Sequence, residues 1–261
     1  MKEGISELKE IFRGKYEKKV PYTEKYLRKV SVYLTWILLH TDLSANQATV
    51  IMIIFGILSG IFFCLGTKLM TLGGALLLLI WYFFDLIDGE IAEYRKTCSI
   101  TGSYFDGISH YIVHPYVLFC LGIGLYRRFD YGCAFFLGYV SSLSYILLEI
   151  AGDLRYKYIF TSRAQSHIPT LVNKSLSGNV QEKEESMLIK LIKMYCLFPG
   201  VMDLIIISSI IDFLIGDIVI FNIRLTVLGL LLISYGIFYP LSFARGLYRV
   251  VKNKELDKLL P

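Results

Sequence analysis

Long apolar blocks, punctuated by short polar turns, dominate the chain. Ala75 to Phe84 and Met202 to Ile211 are long, mostly apolar blocks that neither helical nor strand periodicity divides into two faces. A bilayer core needs about 20 mostly apolar residues per helical span, and several segments meet that length. The pattern predicts an all-α, polytopic membrane protein with six transmembrane helices, at about 46–66, 70–95, 102–127, 130–152, 196–218 and 222–248. Two segments precede them. Residues 4–19 alternate acids and bases around an apolar stripe of Ile5, Leu8, Ile11 and Phe12, which Pro21 ends. Residues 23–40 mix Tyr, Trp, Lys and Arg with aliphatics, a composition suited to an amphipathic helix in the membrane interface. The expected organisation is interfacial helices over 1–45, a six-helix domain over 46–250 and a tail over 251–261. Inside the domain a polar loop is expected at about 153–195.

The basic residues orient this plan. Of 27 Lys and Arg, 23 fall before residue 46, in the 95–101 turn, in 153–195 or after 244. The other four, Lys68, Arg127, Arg128 and Arg224, fall in the remaining turns. The positive-inside rule then places both termini in the cytoplasm. The net charge of +5 reads as this topology signal, not as a nucleic-acid footprint. The polar, charged start is unlike a secretory signal. Cys64, Cys98, Cys120, Cys133 and Cys196 are scattered, with no pair at metal-ligand spacing, and suggest no disulfide or zinc framework. Gly56 and Gly60 form a small-xxx-small face suited to helix packing.

The conspicuous chemistry lies where the second span ends and the third begins. Asp85 and Asp88 are three apart, and Asp106 and His110 four apart, so each pair shares a helix face. The intervening turn is short, so the two helices run antiparallel and bring the four residues together. An acid at mid-span costs about 2.5–3.5 kcal/mol on insertion scales, and three neighbouring acids resist joint ionisation. A divalent cation removes both problems, and carboxylate oxygens suit Mg²⁺ or Mn²⁺ carrying phosphate oxygens. Gly89 and Ala92 follow Asp88 on or near the same face; their small size suits either a bulky ligand or close helix packing.

The spacing resembles the CDP-alcohol phosphotransferases, which carry Asp-x2-Asp-Gly-x2-Ala-Arg-x8-Gly-x3-Asp-x3-Asp across the second and third of six spans. Asp85, Asp88, Gly89, Ala92, Gly102 and Asp106 match. Glu93 stands at the Arg position and His110 at the last Asp. The segment before the first span, with Asn46 and Thr49, is also similar to the family's Pro-Asn-x2-Thr segment, with Ala45 in place of Pro. The resemblance implies transfer of a substituted phosphate from a CDP-linked lipid or alcohol to an acceptor hydroxyl, with release of CMP, in phospholipid synthesis. It implies that Asp85, Asp88 and Asp106, with His110, hold one or two Mg²⁺ or Mn²⁺ ions at the cytoplasmic face. Asn46, Thr49, Gly89, Ala92 and Gly102 would border the donor, and the protein would form a homodimer.

His110 can act as the general base in place of the carboxylate or bind metal, since imidazole accepts a proton near neutral pH. His114, one turn deeper, is a candidate to bond His110. Arg155 is a candidate for an acceptor phosphate, against the simpler reading of it as positive-inside charge. Asp203 and Asp212, within or near the fifth span, invite a functional reading as intramembrane acids; His40 and His167 read as interface and loop residues. Two other function classes fit a six-helix membrane protein: an inactive homologue that only binds the nucleotide, and a transporter using the acids as a cation path. Metal-dependent CMP release separates the first reading from both.

Overall fold

The computed structural model describes residues 4–12, 22–165, 195, 199–220 and 223–253. Eight helices are described: α1 Ile5–Ile11, α2 Tyr22–Leu38, α3 Ala45–Cys64, α4 Lys68–Tyr94, α5 Ile100–Phe129, α6 Gly132–Gln165, α7 Gly200–Ile215 and α8 Val227–Asn253. A two-stranded antiparallel ribbon, β1 Ile218–Ile220 and β2 Ile223–Leu225, joins α7 to α8 and pairs Ile218 with Leu225. The expectations for Pro21, residues 13–19, Cys196, His167 and most of the polar loop and the tail lie outside the described residues.

Local chemistry sets the helix ends around the site. Ser44 caps α3 through a reciprocal box: Gln47 N donates to Ser44 Oγ at 3.3 Å, and Ser44 N donates to Gln47 Oε1 at 2.8 Å. Ser99 caps α5 by accepting from Gly102 N at 3.0 Å. Lys96, at φ 55°, turns the chain out of α4, and Arg95 donates to the carbonyls of Leu43 and Thr41 at 2.7 and 2.8 Å. That bond pair locks the end of α4 to the connection between α2 and α3.

Among the described residues, five helices are long and apolar enough to cross a membrane: α3, α4, α5, the Gly132–Ile159 part of α6, and α8. The fold is an all-α polytopic membrane protein, with one fewer full-length span than the sequence suggests. The difference is α7, whose described stretch is 16 residues, or about 24 Å at 1.5 Å per residue. Gly216, at φ 85°, ends it, and the β-ribbon takes up residues assigned to the neighbouring spans. The expected loop from 153 also needs correction, because α6 continues to Gln165. Residues 153–165 hold no Gly or Pro, so a helix leaving the apolar layer has nothing to stop it.

α3 sits at the centre against both α4 and α5, α6 packs on α5 and on α8, and α7 closes against α4 and α8. Trp81, Tyr82, Tyr235 and Tyr239 are the largest side chains of this core. The Gly56–Gly60 face serves packing. A Cβ on Gly56 would lie 2.6 Å from Val113, and one on Gly60 would lie 2.2 Å from Tyr116, so α5 sits directly on the α3 backbone.

Asp212 has a structural partner at the end of the bundle away from Asp85. Its two carboxylate oxygens accept from Val227 N at 2.6 Å and Leu228 N at 3.0 Å, satisfying the first amides of α8. Asp212→Ala should therefore lower the unfolding midpoint in detergent, by about 1–3 kcal/mol for stranding buried donors, while leaving the specific activity of the folded fraction intact.

Candidate metal and phosphate-transfer site

The geometry of the site follows from α3, which packs against both α4 and α5, whose side chains then meet across the cavity beside it. His110 Nε2 lies 2.9 Å from Asp85 Oδ1 and 3.4 Å from Asp106 Oδ1. One ligand atom from each of Asp85, Asp106 and His110 lies within 4.8 Å of the others. Asp88 is one turn further along α4, is buried, and accepts from Thr49 Oγ1 of α3 at 2.6 Å. These residues open onto a cavity of about 330 Å³ lined by Glu24, Arg28, Tyr82, Asp85, Leu86, Asp88, Gly89, Asp106 and His110.

The donor set fits a divalent cation. Four carboxylates line one small cavity; Glu24 is paired with Arg28 at 2.6 Å, and Asp85 and Asp106 share the His110 ring. Asp106 Oδ1 is buried and faces the His110 ring at a long 3.4 Å, with no closer hydrogen-bond partner among the described residues. Two carboxylates and an imidazole converging within 4.8 Å are ligand types found together on Mn²⁺ and related ions.

Behind His110 a polar chain runs into the core. Its Nδ1 lies 3.3 Å from His114 Nε2, and His114 Nδ1 lies 2.9 Å from the Tyr145 hydroxyl of α6. Trp81 stands edge-on to both imidazoles, with ring centroids 5.4 and 5.3 Å away. The back nitrogen of His110 is thus held, and Nε2 is directed at the acids, as imidazoles in metal and acid–base sites are commonly oriented.

The other sequence candidates are placed less centrally. Gly89 lines the cavity; Ala92, Asn46, Gly102 and Arg155 are not among its lining residues. Asn46 and Gly102 lie near each other at the rim, where a Cβ on Gly102 would be 3.6 Å from Asn46 Oδ1. Arg155 is exposed on α6. Asp203 is close enough to Tyr82 of the cavity wall to act on it electrostatically. His40 bonds the Trp36 carbonyl at 2.8 Å in an exposed position.

Sequence reasoning passed over Glu90. It is 1% exposed and accepts from Ser31 Oγ at 2.6 Å and Thr35 Oγ1 at 2.5 Å, joining α2 to α4. A signal was present: an acid inside the motif requires partners, and Ser31 and Thr35, four apart on an amphipathic helix, share the face that could supply them. Arg28, Tyr82, Trp81 and Tyr145 were also missed. The aromatic ones are indistinguishable in sequence from ordinary core residues.

The fold is a polytopic helical bundle with an acid-and-imidazole cluster at one end that could hold a metal ion. Residues 42–172, half of the chain, match the family model described as CDP-alcohol phosphatidyltransferase, and the chain belongs to that family. The family transfers a phosphoalcohol group from a CDP-alcohol and generally uses divalent metal ions. No curated protein sequence matches the chain.

Proposed function

We propose that the protein moves a substituted phosphate, phosphatidyl or similar, from a CDP-alcohol donor to an acceptor hydroxyl and releases CMP in phospholipid synthesis. The observation that carries this reading is the convergence of Asp85, Asp106 and His110 on one acid-lined cavity in a chain of this family. The basic ends and turns favour a cytoplasmic location for that cavity, and the apolar spans around it favour a lipid donor such as CDP-diacylglycerol.

Asp85, Asp88 and Asp106 are the residues to hold Mg²⁺ or Mn²⁺. When bound, the ion would polarise the donor diphosphate and offset the charge gathering on the departing CMP. Thr49 fixes the Asp88 carboxylate by donating to Oδ2 at 2.6 Å. Gly89, on the cavity wall, leaves room for the nucleotide against the α4 backbone. His110 Nε2 removes the acceptor's hydroxyl proton as that oxygen attacks phosphorus. The new oxygen–phosphorus bond replaces the bond to the CMP oxygen, whose electron pair leaves with CMP. An imidazole is suited to this because its proton affinity lies near neutral pH.

The test is incubation of purified protein with CDP-diacylglycerol, Mg²⁺ or Mn²⁺ and a panel of alcohols, with products identified by mass. CMP should appear in step with one lipid product, and a chelator should abolish both. Retained CMP binding with no turnover on any alcohol would instead leave a nucleotide-binding homologue.

A further inference from the structure

We infer that Arg28 is a phosphate ligand of the site, which makes α2 part of the substrate-binding apparatus as well as an interfacial helix. The inference rests on the transfer reading above and adds to it a residue that precedes the family-matched segment, residues 42–172.

Three observations carry it. Arg28 lines the same cavity as Asp85, Asp88 and Asp106, and among its described lining residues it is the permanently charged cation. Its guanidinium is held in place: Nε and Nη2 donate to Glu24 Oε1 at 2.8 and 2.6 Å, and the side chain is 16% exposed. The helix is itself anchored one turn away, where Ser31 and Thr35 bond the buried Glu90. An arginine serving only the membrane surface would extend its head toward water; this one is turned inward and clamped beside acids.

The ligand class follows from charge and shape. A cation fixed at the edge of a carboxylate cluster is matched by a group that approaches a metal ion and a guanidinium together. A phosphate does this, and the planar guanidinium recognises its oxygens with directed, charge-assisted bonds. α4 offers no substitute. Position 93 carries Glu, and the next cation, Arg95, is committed to the carbonyls of Leu43 and Thr41. Glu24 binds the guanidinium through Nε and Nη2, and its role is to aim the group.

The experiment is calorimetric binding of CDP, cytidine and glycerol 3-phosphate to full-length wild type, Arg28→Gln and Arg28→Lys in detergent with Mg²⁺. Arg28→Gln should weaken CDP by about tenfold or more through loss of charge-assisted bonds, and Arg28→Lys should recover part of that. Cytidine affinity and the unfolding midpoint should hold, which separates lost phosphate contact from a damaged fold. A loss confined to glycerol 3-phosphate would support the same ligand role on the acceptor side. Unchanged affinity for both phosphates in Arg28→Gln, an equal loss for cytidine, or no binding of either phosphate by wild type overturns the inference. Arg28-dependent CDP binding without CMP release would sink the transfer reading and leave Arg28 standing. CMP release with binding indifferent to Arg28 would do the reverse.

Discussion

Asp85→Asn is expected to lower CMP release by about a thousand-fold, equivalent to about 4 kcal/mol of transition-state stabilisation. Asp85 is the carboxylate in closest contact with His110, at 2.9 Å, and belongs to the group that could hold an ion. Asparagine keeps the volume and one acceptor oxygen but removes the charge, so the fold should survive while the cation is lost. The corresponding measurement is Mn²⁺ affinity by paramagnetic titration, alongside turnover. Affinity should fall with activity, and raised Mn²⁺ should restore part of the rate. A variant with normal turnover would remove Asp85 from the site. Thr49→Val should act more mildly, by about ten- to a hundred-fold, because it deletes one hydrogen bond to a carboxylate, worth about 1.5–3 kcal/mol. The contrast between the two variants distinguishes loss of a ligand from loss of its orientation.

Features that are local along one helix could be read from the chain. The spacing of Asp85 to Asp88 and of Asp106 to His110 fixes which faces they occupy, and a short turn between two spans keeps those ends near each other, where Asp85 meets His110. Apolar block length likewise located α3, α4 and α5 to within two residues at each end. What could not be read depends on which helix lies beside which. Glu90 is intelligible only once α2 lies on α4 and offers Ser31 and Thr35. Tyr145 belongs to the site only because α6 crosses behind His114. Asp212 invited a functional reading as an intramembrane acid until the start of α8 was placed against it. The extension of α6 to Gln165 was hidden for another reason. Hydropathy marks where a helix leaves the apolar layer, whereas helix termination needs a breaker, and residues 153–165 supply none.

His110 invites a sharper test, because its imidazole faces carboxylates at 2.9 and 3.4 Å. If Nε2 takes the acceptor proton, His110→Ala should lower kcat by about 10²–10⁴-fold, the usual contribution of a positioned base, with Mn²⁺ affinity nearly unchanged. If His110 instead holds the ion, affinity and rate fall together. His110→Asp restores the carboxylate at that position and should retain much more activity than His110→Ala, since Asp106 and Asp85 already face the position from two helices. The polar chain behind the ring predicts a graded series. Tyr145→Phe removes the hydroxyl 2.9 Å from His114 and leaves the ring packing against Tyr239. It should lower kcat by about tenfold without altering donor KM, because it loosens the orientation of the imidazole while leaving the cavity intact. Combined with His110→Asp, Tyr145→Phe should lose its effect, because no imidazole remains at position 110 for His114 to orient. Full additivity in that double variant would show that Tyr145 acts on the core and not through His110.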